Sequence, residues 1–115
     1  MNKILNKAKE IALELPKNNY RLCAIITDKR GKILSIGVNS YNKTHPTQAY
    51  YASKSKNKNR IYLHAEMDAI IKCKGKAHTI YIARVGNNNS HRLAKPCEIC
   101  YNAIRDIGIK NIIHT

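Results

Sequence analysis

Apolar positions recur at helical spacing through the first segment. Ile4, Leu5, Ala8, Ile11, Ala12 and Leu15 share one face, and Pro16 stops the run, which predicts a helix over 3–15. Tyr20 to Thr27 is rich in Ile, Leu and Tyr and reads as a strand. Asp28-Lys29-Arg30-Gly31 has turn chemistry, and Lys32 to Val38 supplies the return strand of a hairpin. Asn39 to Tyr62 is polar and reads as a long connection, functional or mobile at that length. A second helix runs from His64 to Lys72 and a third from Cys97 to Asp106. Thr79 to Val85 and Lys110 to His114 are strands, with Gly86–Ser90 as a loop.

A hairpin followed by alternating helices and strands implies one mixed sheet covered by helices. The last two strands, joined through the third helix, should be parallel by a right-handed crossover. The expected fold is α/β: a minimal three-layer α/β/α sandwich with four strands and three helices. Its 115 residues show no repeat or internal boundary, so residues 1–115 are expected to form a single domain.

Composition narrows the setting. Hydrophobic residues make up 43 % of the chain, enough for a core, and no apolar run approaches a membrane span. Met1-Asn2-Lys3-Ile4-Leu5 opens no signal peptide, so a cytoplasmic location and no membrane partner are expected. The four cysteines then read as metal ligands or buried thiols before disulfides. The 21 Lys+Arg against 7 Asp+Glu give a formal charge of +14, a field suited to polyanions such as nucleic acid or nucleotides. Lys54, Lys56, Lys58 and Arg60, in the long connection, are candidate phosphate contacts. Solubility alone is the plainer account of such charge.

The chemistry lies in His64-Ala65-Glu66 and Pro96-Cys97-Glu98-Ile99-Cys100, each at an expected helix start. Cys97 and Cys100 are three apart, so both thiols face one side of a first turn, where the helix end favours thiolate. With His64 they make a His/Cys/Cys set. Three protein ligands leave tetrahedral Zn²⁺ one open position, the catalytic pattern, with one zinc per chain. Glu66, two residues past His64, is placed for proton transfer and not for ligation. Cys23 and Cys73 read as ordinary thiols, and His78, His91 and His114 lack metal-type spacing. Asp68 and Asp106 read as helix-surface charges. Tyr50-Tyr51 would serve equally for base stacking or for packing under the loop.

These two segments together form the signature of zinc nucleobase deaminases. Through His64-Ala65-Glu66-Met67-Asp68-Ala69-Ile70, Lys95-Pro96-Cys97-Glu98-Ile99-Cys100 and Gly108-Ile109-Lys110, the chain resembles the cytidine/deoxycytidylate deaminase superfamily. The resemblance includes the hairpin ending Ile36-Gly37-Val38-Asn39 and so covers most of the chain from about Arg21. It implies two zinc-bearing helix starts side by side, with Glu66 as the catalytic proton carrier. It also implies Asn39 on sugar or base and the Ala65 N–H on the base carbonyl, with His45 a weaker pocket contact. The tail Ile107–Ile113 resembles the deoxycytidylate branch more than the tRNA adenosine branch, so cytosine is the expected base. Relatives usually continue past the last expected strand into another strand and helix, which shape the pocket or a homo-oligomer contact. The aromatics that clamp the base in relatives have no identifiable counterpart here.

The expected function is therefore a zinc hydrolase converting cytosine to uracil in single-stranded DNA or RNA. The alternatives are a free-nucleotide deaminase of the dCMP type, a tRNA-type adenosine deaminase, and a non-catalytic zinc module that binds nucleic acid. The last should lack the acid that Glu66 provides.

Overall fold

The computed structural model describes residues 2–17, 21–40, 45–54, 64–86 and 88–115. Four helices and five strands alternate along them: α1 (Lys3–Leu13), β1 (Arg21–Thr27), β2 (Ile33–Val38), α2 (Pro46–Ser53), α3 (Ala65–Lys72), β3 (Thr79–Val85), β4 (His91–Arg92), α4 (Glu98–Asp106) and β5 (Asn111–His114). Asn2 starts α1, its Oδ1 accepting from the N–H groups of Ile4 and Leu5 at 3.0 Å each. The β1–β2 turn is closed by Asp28, whose Oδ1 accepts from the N–H groups of Arg30 and Lys32, and Gly31 takes φ +88°.

The sheet runs β2-β1-β3, and β4 and β5 share the far edge of β3. β1 is antiparallel to both neighbours, whereas β5 is parallel to β3, with Thr79 opposite Asn111 and Ile82 opposite His114. The parallel pairing expected of the two strands joined through the third expected helix is present. Thr115 joins the two edge pieces: its N–H donates to Ile82 O, its hydroxyl donates to Arg92 O, and Ala94 N–H donates to its carbonyl.

Side-chain alternation sorts the sheet into two buried faces. Cys23, Ile25, Ala83 and Val85 meet Ala8 and Ala12 of α1. Ala24, Ile26, Ile80 and Ile82 meet Ala65 and Ala69 of α3 and Ile104 of α4. These are the three layers the sequence implied. A third cluster, Ala52, Met67, Ile99 and Ala103, fastens α2 to α3 and α4.

Two elements exceed the expected four strands and three helices. α2 lies within the Asn39–Tyr62 stretch read as a connection, and β4 is a two-residue addition to the β3 edge. Pro46 stands at the first turn of α2, and its inward residues are Gln48 and Ala52, so no apolar stripe announced it. The beginning of the first expected strand, at Tyr20, lies outside the described residues.

Arg21 is a buried cation that sequence reasoning passed over. At 0 % exposure, its guanidinium donates to Leu13 O, Gly86 O and Asn89 Oδ1, tying the end of α1 to the β3–β4 turn.

α3 is pressed onto β2 at Gly37. A Cβ there would land on Ala69 N and Ala65 O, backbone atoms within the helix that cannot rotate away. Gly37→Ala should therefore destabilise the protein by about 1–3 kcal/mol or more, as overpacking does. Urea unfolding measures this, and an unchanged midpoint would mean that the helix shifts freely.

Candidate metal centre and active site

β2, β3 and β5 all end at one edge of the sheet, and α3 and α4 both begin there. In α/β sheets this carboxyl edge is where sites form. His64 is the N-cap residue of α3 and Cys97 that of α4, both with extended backbone, and neither side chain caps its own helix. Residues at positions that ordinarily satisfy helix N–H groups are here turned towards each other.

His64 Nδ1 lies 3.2 Å from Cys100 Sγ and 3.6 Å from Cys97 Sγ, and the three ligand atoms fall within 4.8 Å of one another. A tetrahedral Zn²⁺ with ordinary bond lengths needs N–S and S–S edges of about 3.6–3.8 Å. The donor set fits zinc in kind, number and spacing.

Electrostatics divide the two thiols. Cys97 is pulled down to about 3, first by the hydrogen bond from the Cys100 thiol and then by His64, against the cost of burial. Cys100 rises well above the usual thiol range because its proton is held by Cys97 and because it is buried. Glu66, 5 % exposed, is raised by burial above the usual carboxylate range. Its own N–H, the His64 charge and the Cys100 thiol lower it in part, and Cys97 raises it further.

The remaining expected site residues are spread around this centre. Ala65 is the first residue of α3 and is buried, in the turn whose N–H groups have no partner within the helix. Asn39 follows β2 directly, and its Oδ1 accepts from Leu22 N at 3.0 Å. His45 is the N-cap of α2, where its Nδ1 accepts from Thr47 N. Lys54 stands at the other end of α2 with its ammonium 4.4 Å from the Tyr50 ring centre. Lys56, Lys58 and Arg60 lie outside the described residues.

Asp68 corrects the sequence reading. It is 7 % exposed and not a surface charge: Oδ2 accepts from Val38 N at 3.1 Å and from Lys72 Nζ at 2.9 Å. The residue two past Glu66 thus grips the residue before Asn39. Its place on the face of α3 turned towards β2 was the available signal, given the 3.6-residue period. Asp106 is exposed as expected, but accepts from the Tyr51 hydroxyl at 2.7 Å, tying α2 to α4 and raising that phenol to about 12. Tyr51 packs, while Tyr50 is half exposed. Gln48, fully buried on α2, accepts from His64 N.

The sequence profile described as the cytidine and deoxycytidylate deaminase zinc-binding region matches residues 1–115. The chain belongs to this family of zinc-dependent deaminases. Among solved structures it is similar to the dCMP deaminase from the cyanophage S-TIM5 in apo form, at 20 % identity and a TM-score of 0.59, over 99 % of this chain and 84 % of that one. At that identity the likeness establishes the fold. No curated protein matches the chain by sequence.

Because Cys100 holds its proton in the metal-free site, zinc uptake at pH 7 should release protons, Cys100 supplying one. Calorimetry in buffers of different ionisation enthalpy counts them, and uptake with no proton release would show that Cys100 is already ionised. Cys97→Ala should lose the metal, whereas full zinc content in that variant would overturn the ligand set.

Proposed function

We propose that residues 1–115 act as a single deaminase domain that hydrolyses the amino group of cytosine, giving uracil and ammonia. The observation that carries this reading is the buried Glu66 carboxyl beside three zinc-competent ligand atoms. Zinc, once bound, acidifies water and so supplies the nucleophile at neutral pH. Glu66 takes one proton from the attacking water and delivers it to ring N3. It then takes the remaining proton from the C4 hydroxyl so formed and delivers it to the amino group, which leaves as ammonia as the C4 carbonyl of uracil closes. A carboxyl whose proton affinity is raised by burial suits this exchange, because it accepts a proton more readily than an exposed carboxylate does.

Asn39 and the Ala65 N–H orient the ring through sugar or base and through the base carbonyl, as the family resemblance implies. Water is excluded from below by Met67, Ile99 and Ala103, which pack under the two helix starts. The substrate form we favour is cytosine in single-stranded DNA or RNA, supported by the +14 charge. A free nucleotide of the dCMP type is the second reading. Its support is the Ile107–Ile113 tail and the cyanophage protein, whose name is dCMP deaminase.

Incubation with dCMP, cytidine and a cytosine-containing single-stranded oligonucleotide, followed by measurement of ammonia, separates these substrates. Loss of ammonia from none of them would overturn the proposed reaction. Glu66→Gln should keep zinc and fold yet lose at least roughly 10²–10⁴-fold in turnover, since one residue serves several proton transfers. Wild-type rates in that variant would remove Glu66 from the mechanism.

A further inference from the structure

The end of the sheet opposite the metal centre gathers cations. The β1–β2 turn carries Lys29, Arg30 and Lys32, the α3–β3 connection carries Lys74 and Lys76, and Lys110 precedes β5; all six are exposed. The backbone holds these three segments together. His78 N–H donates to Thr27 O at 2.9 Å, Lys110 N–H donates to His78 O at 2.9 Å, and Gly75 sits against Leu34 at the start of β2. Among the described residues three acids lie towards this end of the elements that meet here, and each is engaged. Asp28 accepts from the turn's own N–H groups, Asp68 pairs with Lys72, and Asp106, at the end of α4, accepts from the Tyr51 hydroxyl. α3 spans eight residues from His64 to this end, about 12 Å, and the seven-residue strands span about 23 Å.

We infer that this basic end is a binding surface for the phosphate backbone of single-stranded nucleic acid, holding a strand whose target base lies in the metal centre. A free nucleotide presents one phosphate group beside its ring and has no use for six cations some 12–23 Å away. A polymer places a phosphate every ~3.4 Å at helical rise, so about four to seven nucleotides cover the distance. Cations on three separate loops match repeated charges along a line better than one compact anion. The inference deepens the proposed cytosine deamination and rests on it only for the strand's role as substrate; binding itself is independent of turnover.

The test uses the zinc-loaded protein and a fluorescent oligothymidylate, which contains no cytosine and so reports binding alone. Anisotropy titrations across a range of salt give the slope of log K against log[salt], at about −0.7 per phosphate contact for single strands. Replacing Lys29, Arg30, Lys74 and Lys76 by Gln should flatten that slope by about two to three. A control variant with Lys3, Lys7, Lys9 and Lys17 replaced by Gln removes the same charge from α1 and the segment after it. It should change the slope by less than about one. Equal flattening in the two variants would reduce the effect to net charge and overturn the surface, as would identical slopes in wild type and the first variant. Stronger retention on phosphatidylserine vesicles than on the oligonucleotide would overturn it in favour of a membrane surface.

Activity gives the second arm. In the first variant, kcat/KM for a cytosine-containing oligonucleotide should fall at least about tenfold while that for dCMP stays within about twofold, since the charges that track the strand are gone and the metal centre is intact. An equal fall for both substrates would overturn the inference. If no cytosine substrate is deaminated by wild type, the proposed reaction fails, and the salt slopes alone decide the surface.

Discussion

Two helix starts must converge to within a few ångströms for this site to exist, and helix starts resist convergence. Each carries partial positive charge and N–H groups without partners. The chain adds to the difficulty by placing ligands, His64 and Cys97, at both N-cap positions without capping hydrogen bonds, forgoing roughly 0.5–2 kcal/mol at each. Negative charge offsets this. The Cys97 thiolate sits at one start, and Glu66, Asp68 and Glu98 occupy the first turns. Two thiolates and a neutral imidazole would also balance the charge of Zn²⁺, so metal loading and helix convergence support each other.

α3 reaches its position through backbone, not through bulk. Gly37 lets the helix sit directly on β2, Ser35 donates to Ala69 O at 2.7 Å, and Asp68 accepts from Val38 N. These three contacts fix the helix against a strand whose next residue is Asn39. A shift of α3 that misplaces the Glu66 carboxyl therefore also breaks the register between Glu66 and Asn39. Proton transfer tolerates little misplacement of the reacting groups. The constraint gives a reason for a second buried carboxylate, Asp68, two residues from Glu66.

Much of this was legible from residues alone. Regular apolar spacing gave α1, α3, α4 and the longer strands, and the two short motifs gave the ligands because ligand chemistry leaves few alternatives. What stayed hidden depends on partners distant in sequence. α2 is held by Gln48, Ala52 and a Tyr51–Asp106 hydrogen bond, none of which carries a helical stripe. β4 is two residues long and exists through β3 and Thr115. Asp68 reads as a surface residue by type and Arg21 drew no reading, yet each is buried and hydrogen-bonded to backbone groups distant in sequence.

The fold also separates two electrostatic tasks. The metal centre needs a local balance of thiolate, carboxylate and imidazole, in which modest changes of potential alter who holds the proton. A field of exposed lysines beside it would depress Glu66 and spoil its readiness to return protons. The six basic residues instead sit beyond the far end of α3, about 12–23 Å away, where the Debye length of about 8 Å at physiological salt has screened most of their potential. Distance, set by the length of the strands and of one helix, thus keeps these six charges away from the buried acid. Neither feature has to be weakened for the other, because the sheet holds them at opposite edges.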